Sequence, residues 1–361
     1  RSALLALLKA FDIGEGDEVL VQAFTCVAVP NSVLWVGAKP VYVDIGANYN
    51  LDAADAEKKI TKRTRAIVVQ HTFGIPAQVN TLLALAKRHK LILIEDCAHA
   101  LGATHKGKKL GTLGDAAFFS FGRDKVVSSV WGGAAYIKYQ ISNIKYQKKL
   151  REIEKKLLYP SHFWIFQQLL HPIAFSIILP LYDVGIGKLL LVILQRLKLL
   201  SIPVYAEEKR GMQPSDFPAK YPNALAMLLV NQLNKLEQFG KQRQDIAKYY
   251  WKALSWCFGI TVLPLVDGAS FLRYPMLVSD PEKMLRRAKE QGILLGNWYH
   301  NIVDPTGVDF AAIGYRVGLC PEAEKIAKHI INCPTTISRK EAEQVVSAII
   351  SSQYGDIVGL R

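Results

Sequence analysis

Leu91-Ile92-Leu93-Ile94-Glu95-Asp96-Cys97-Ala98-His99 is an apolar run that ends abruptly in two carboxylates and, three residues on, a histidine. A short apolar run bounded by polar residues reads as a buried strand, here Leu91–Asp96. Outward from it, Val19–Phe24, Pro40–Asp44, Arg65–Gln70, Ala116–Phe121 and Gly133–Tyr139 have the same strand-like character. Helix-like segments at Ser2–Phe11, Asp52–Ile60 and Val79–His89 lie between several of them. The alternation predicts an α/β layer fold with a mostly parallel sheet. Ligands of such sheets sit outside the carboxyl ends of the strands. That rule directs attention to Thr25, to Asp96 through His99, and to Ser120 through Lys125.

Beyond residue 140 the pattern changes. Lys145–Leu158 reads as a charged amphipathic helix, and from Leu157 to Tyr182 there is no Asp, Glu, Lys or Arg. The stretch is long enough to span a bilayer, which takes roughly 20 apolar residues. Pro160, Pro172 and Pro180, with two His and two Gln, are expected to break it. Three readings stay open for 157–200: a membrane span, an interfacial hairpin, or an insertion buried against protein or a second copy. His162 and His171 belong to this insertion and read as packing or interfacial residues. Tyr221–Phe239 then reads as a soluble helix with Leu225, Leu229, Leu233 and Leu236 on one face. Phe271–Val278 and Ile293–Leu295 read as strands, and Pro281–Gln291 and Ser338–Ser351 as helices. The expected division is a large domain over 1–240, carrying an apolar helical insertion at about 141–215, and a smaller C-terminal α/β domain over 241–361.

The chain of 361 residues is half hydrophobic, enough for a substantial core, and nothing in its composition suggests disorder. Its net charge of +14 implies an anionic partner. No zinc-finger spacing, aromatic RNA-binding strand or basic zipper is present, so nucleic acid is not expected. The five cysteines are odd in number and none is spaced as CxxC. This usage points to a reducing, cytoplasmic compartment and to neither a disulfide framework nor a structural zinc site. The sequence opens at Arg1-Ser2, with no signal-peptide pattern, directly on a helix-like segment, so further residues are expected upstream.

Asp96 alone would read as a capping carboxylate, and Lys125 alone as a solvent-facing amine. Together at neighbouring strand ends they suit pyridoxal phosphate (PLP). That cofactor needs a lysine to carry it as an imine and a carboxylate to keep its pyridine nitrogen protonated. Its phosphate needs donors such as a hydroxyl and a helix N-terminus, for which Ser120 and the Arg1-Ser2 turn stand ready. A lysine of this kind must have a lowered pKa, which burial and neighbouring cations supply.

The sequence resembles the DegT/DnrJ/EryC1/StrS family of sugar aminotransferases, of PLP fold type I. The matching text is Arg1-Ser2-Ala3-Leu4, Gly16-Asp17-Glu18-Val19, Phe24-Thr25-Cys26 and Pro40-Val41-Tyr42-Val43-Asp44. It continues in His71-Thr72-Phe73-Gly74, Glu95 through Ala103, Gly111-Thr112-Leu113-Gly114-Asp115, Phe119-Ser120-Phe121 through Lys125, and Gly132-Gly133. The resemblance implies that Lys125 carries the cofactor, that Asp96 pairs with the pyridine nitrogen, and that His99 lies near the ring. It implies that Ser120, Ser2 and Arg1 contact the phosphate. It further implies a homodimer, with glutamate as amino donor and a keto group on a nucleotide-activated sugar as acceptor. Lysine rather than histidine at position 125 favours transamination over dehydration.

Departures from the pattern accompany the match. Cys26 stands where the family has an aromatic residue stacked on the cofactor, so His99 is expected to cover a ring face instead. Val130-Trp131-Gly132-Gly133 replaces Gly-Glu-Gly-Gly. The partner-subunit segment that binds the phosphate falls near Pro218-Ala219-Lys220, leaving Lys220 or Asn223 for the role. These departures keep two other readings open: a PLP-dependent sugar dehydratase, and a non-catalytic, membrane-associated binding protein. His71 reads as a structural residue at a strand end. His300, in Asn297-Trp298-Tyr299-His300, reads as a possible substrate contact of the small domain.

Overall fold

The computed structural model describes residues 1–140, 143–182 and 184–355. Residues 141 and 142 at the start of the insertion, residue 183 within it and residues 356–361 of the C-terminal part lie outside the described residues.

Among the described residues thirteen strands follow one another as β1 (Glu18–Gln22), β2 (Thr25–Cys26), β3 (Lys39–Val43), β4 (Thr64–Gln70), β5 (Ile92–Asp96), β6 (Thr104–His105), β7 (Lys108–Lys109), β8 (Ala116–Ser120), β9 (Gly133–Ile137), β10 (Ile260–Val262), β11 (Arg273–Val278), β12 (Val303–Asp304) and β13 (Ile330–Pro334). The helices among the first nine strands are α1 (Ser2–Ala10), α2 (Ala28–Leu34), α3 (Ala53–Lys59) and α4 (Val79–His89). Six strands make the central sheet in the order β3-β1-β4-β5-β8-β9. All neighbours are parallel except the edge strand β9, which runs antiparallel to β8.

Strand periodicity sorts the side chains between two layers. Val19, Val21, Ala66, Val68 and Ile94 face the core that includes Leu4, Leu7 and Leu8 of α1. Leu20, Ile67, Val69 and Leu93 face Ala56 of α3 and Leu82 and Leu85 of α4. Helices therefore cover both faces, as a parallel sheet requires. The mostly parallel α/β sheet is the one expected from the sequence.

The insertion folds as α5 (Ile144–Lys156), α6 (His162–Ile178) and α7 (Ile186–Arg196). Pro172 does not break α6, which runs through it. Its ring lies on the exposed side, while Ala174 and Ile178 beyond it pack into a small apolar cluster that holds the helix together. Tyr221–Phe239, expected as one helix, divides into α8 (Asn223–Leu233) and α9 (Leu236–Leu254). Leu225 and Leu229 are buried in α8, and Leu229 packs with Phe121 and Val127. Ile246, Ala247 and Tyr250 of α9 join the main core, and one straight rod cannot serve both sites.

The C-terminal part is built on an antiparallel sheet β10-β11-β13 with α10 (Pro281–Glu290), α11 (Pro321–His329) and α12 (Arg339–Tyr354). Ile293–Leu295 is not a strand; only an isolated bridge between Gly296 and Asn332 forms there. The run is too short and too exposed at Leu294 to hold a ladder. Ties between this part and the N-terminal part include a strand pair and a helix cap. β12 pairs in parallel with β2. The Asp44 carboxylate, just past β3, accepts the backbone N–H groups of Glu322 and Ala323 and so caps α11.

Candidate active site

Glu95 and Asp96 end the same strand and point to opposite layers, because successive strand residues alternate. Glu95 accepts from the backbone N–H groups of Gly111 (2.8 Å), Leu113 (2.7 Å) and Gly114 (2.8 Å). His71 completes the set: its Nδ1 accepts the Ala77 N–H at 3.1 Å, so its Nε2–H donates to Glu95 at 3.2 Å. Burial pushes the Glu95 carboxyl up, and the bonds from His71, Gly111 and Gly114 outweigh it and hold the group below its ordinary value. A Cβ at Gly114 would lie 2.7 Å from the Leu93 carbonyl oxygen, so the tight approach of this loop requires glycine. His71, Glu95 and Cys97 bring one ligand atom each within 4.8 Å of one another. The hydrogen bonds already made fill that cluster, and His71 orients Glu95.

Asp96 is different. One carboxylate oxygen accepts the Ala98 N–H at 2.9 Å, and among the described residues the other has no hydrogen bond. Burial pushes its carboxyl above the ordinary value, opposed by the Ala98 bond and by the charge of Lys125. Lys125 lies in the loop after β8, partly open to solvent. Burial lowers its amine, against the raising charges of Cys26, Asp96 and Asp124. Among the described residues its Nζ has no hydrogen-bond or ion-pair partner, and it sits 5.3 Å from the centre of the Trp298 ring.

His99 is buried beside them. Its Nδ1 accepts the Phe73 N–H at 3.3 Å, which leaves Nε2–H to donate to the Tyr299 hydroxyl at 3.2 Å. Burial first, then the charges of Lys125 and Arg273, hold its pKa well below the ordinary value, so the ring is neutral. Trp298 stacks on it at 5.6 Å and 9°. Gly74 has φ +81° and lets Ser270 reach the backbone oxygen of His99 at 3.2 Å; a side chain there would collide with both.

The structure thus gathers Lys125, Asp96, His99 and Cys26 into one electrostatic neighbourhood. The Arg1 side chain turns elsewhere: its guanidinium pairs with Glu208, donates to the Pro203 oxygen at 2.6 Å and lies over the Trp131 and Phe217 rings. Ser120 Oγ accepts the Gly122 N–H, and Ser2 Oγ the Ala219 N–H, each at 3.4 Å. Lys220 pairs with Glu154 at 3.3 Å and lies over Tyr159, while Asn223 is exposed at the start of α8. His300 is exposed and faces Asp304 at 3.2 Å.

Sequence reasoning passed over Trp298, Tyr299 and Arg273. It singled out their loop but chose His300, the titratable member. Arg273, the first residue of β11, lies 4.8 Å from the Trp298 ring and 4.0 Å from Asp124. The signal lay in the aromatic pair beside His300, which β12 carries against β2.

The family model of the DegT/DnrJ/EryC1/StrS aminotransferases matches residues 1–149 and 202–350. The chain belongs to that family. A Geobacillus stearothermophilus protein named as a pleiotropic regulatory protein is 30% identical over 95% of this chain and 79% of its own length. The UDP-N-acetyl-3-dehydro-alpha-D-glucosamine 3-aminotransferase of Acidithiobacillus ferrooxidans is 41% identical over 41% of this chain, which spans 40% of that relative. Among solved structures, Spr1654 of Streptococcus pneumoniae in its PLP form superposes with a TM-score of 0.75 at 21% identity, covering 98% of this chain and 84% of that one. The fold is the PLP-dependent transferase fold type I, and pyridoxal phosphate is the cofactor that goes with the family.

The residues present fit that cofactor. A buried carboxylate with one open oxygen and a raised pKa lacks a cationic hydrogen-bond partner, which a protonated pyridine nitrogen provides. An unpartnered amine with a lowered pKa stands close enough to sense it.

Proposed function

We propose that this chain moves an amino group from an amino acid, glutamate, to a keto group on a nucleotide-activated sugar. The observation that carries the reading is that Lys125, an amine without a hydrogen-bond or ion-pair partner among the described residues, lies within electrostatic reach of Asp96, a buried carboxylate with one open oxygen. When bound, the cofactor supplies an electron sink for the carbon that loses its proton.

The chain's own residues do the rest. Lys125 would carry the cofactor, and its amine is placed to take and return the proton at the donor Cα. Asp96 would hold a proton on the pyridine nitrogen. Neutral His99 keeps Tyr299 and Trp298 in position over the site. Arg273 lies over Trp298 at 4.8 Å, nearer than Lys125 at 5.3 Å, and suits a substrate carboxylate or diphosphate. Ser120, Ser2 and the backbone at Arg1 line the phosphate side, Cys26 stands at the ring position, and Lys220 or Asn223 is supplied by the partner of a homodimer. Two half-reactions share one site, so ping-pong kinetics are expected.

The net charge of +14 supports an anionic sugar nucleotide, as does the substrate in the name of the Acidithiobacillus ferrooxidans relative. The reading includes a large unit over 1–240 and a smaller one over 241–361, joined through α9, which crosses the division. It includes a cytoplasmic location, from the cysteine usage, and contact with the inner face of a membrane through 157–200. No helix among the described residues is long and apolar enough to cross a membrane.

The test supplies PLP, glutamate and keto sugar nucleotides, and measures 2-oxoglutarate and the mass of the sugar product. Borohydride should fix the cofactor on the peptide containing Lys125. A product that has lost water and gained no nitrogen, or a label on another lysine, would overturn the reading.

A further inference from the structure

The helices α6 and α7 form a hairpin that the family model passes over, since its match stops at 149 and resumes at 202. The two helices hold each other through an inner seam, with Ala174 and Ile178 buried against Leu190 and Leu194. Their outer sides are apolar as well. Phe166, Ile173 and Ile177 on α6 and Ile186, Leu189 and Ile193 on α7 are all exposed, at helical spacing. Apolar side chains on the outer stripe as well as the inner seam call for an apolar surrounding, and an exposed patch of this kind marks an interaction surface.

Length and charge identify the occupant. α6 has 17 residues. At 1.5 Å per residue it reaches about 26 Å, short of the roughly 30 Å hydrocarbon core. No helix among the described residues is long and apolar enough to cross, which leaves the interface for an apolar helix of this kind. From 157 to 202 the charged residues are Asp183, Lys188, Arg196 and Lys198, and the three basic ones are exposed. Just before the hairpin, the exposed Lys155 and Lys156 end α5. An apolar face rimmed by cations complements an anionic lipid surface.

We infer that the α6–α7 hairpin docks the protein on the surface of an anionic phospholipid bilayer, with the outer apolar stripes among the acyl chains and Lys188, Arg196 and Lys198 at the headgroups. This deepens the membrane contact of the reading above and stands apart from the transamination. The hairpin is fastened to the active-site loop. Arg123, two residues before Lys125, donates to the Ser201 carbonyl oxygen at 2.7 Å and to its hydroxyl, and that hydroxyl donates to Gln168 of α6 at 2.7 Å. A protein held by the hairpin is therefore held with the Lys125 loop one helix away from the lipid-facing stripe.

The test floats the protein, loaded with PLP, on density gradients with vesicles of phosphatidylcholine alone or mixed with phosphatidylglycerol. Flotation is expected with the mixed vesicles. Replacing Lys188→Gln, Arg196→Gln and Lys198→Gln together should weaken it about a hundredfold, at one headgroup charge each. Ile177→Asp with Leu189→Asp should abolish it. All five sites are exposed, so the fold is kept, and borohydride trapping at Lys125 checks it. Absent flotation, flotation indifferent to phosphatidylglycerol, or a larger oligomer that Ile177→Asp dissolves would overturn the dock, the last in favour of a second copy of this chain. Trapping that fails while flotation persists would strike the transaminase reading and leave the dock standing.

Discussion

Glu95 and Asp96 are adjacent acids at the end of one buried strand, and the structure treats them oppositely. Glu95 is saturated by three backbone N–H groups and His71 and is held ionised. Asp96 makes one bond and is pushed toward its neutral form by burial. A buried carboxylate with all its acceptors filled is a structural keystone, because removing a bond leaves the rest unbalanced. A buried carboxylate with an open oxygen is costly as it stands and gains by binding a cation. The contrast separates scaffold from site within a single dipeptide.

The sharpest way to break this comparison is at the amine whose charge Asp96 senses. Lys125→Ala should abolish amino-group transfer, measured as 2-oxoglutarate release, while leaving the fold intact by circular dichroism. Retained turnover would remove Lys125 from the chemistry. Asp96→Asn should come next, with kcat down about 10²–10³-fold, the scale of removing one preorganised electrostatic partner. Its thermal stability should hold or rise, since an unbalanced buried charge is gone; a large fall in Tm would make Asp96 a keystone like Glu95.

Glu95→Gln should show the reverse pattern. Breaking a buried, fully bonded charge costs about 3–5 kcal/mol of stability, readable as a lower urea midpoint, with near-normal kcat in the protein that stays folded. Smallest of all should be the pH effect of His99. Its folded pKa lies well below the ordinary value, so as pH falls below about 6.5 the unfolded chain takes up a proton that the folded one refuses. Stability that is full above that pH declines below it, and His99→Gln should lose this part of the acid dependence. An unchanged acid limb in the variant would show that His99 is not the group responsible.

Much of this was legible in the sequence. The alternation of β-branched runs with helical segments located β1, β3, β4, β5 and β8 within a residue or two, because a fully buried parallel sheet tolerates little else. Asp96, His99 and Lys125 were legible because their types recur at strand ends in an ordered string. Pro172 was misleading: local propensity argued for a break, and packing at Ala174 and Ile178 overrode it. Trp298 and Tyr299 were hidden in plain text, since two aromatics in a loop carry no periodicity. What brings them to His99 is the pairing of β12 with β2, a contact between segments far apart in the chain.

The sequence by itself determined the layer architecture and the family, and singled out Lys125 and Asp96 as the candidate amine and carboxylate, because those depend on residue type and order along a short stretch. Only the tertiary structure decided which of two neighbouring acids is free, which nitrogen of His99 carries the proton and what Arg1 grips. Those follow from hydrogen bonds and burial between distant segments, such as Arg1 with Glu208 and Glu95 with the Gly111–Gly114 turn. Hydrogen bonds are short-ranged and directional, so a pattern along the chain cannot fix them until the fold has set the partners at 3 Å.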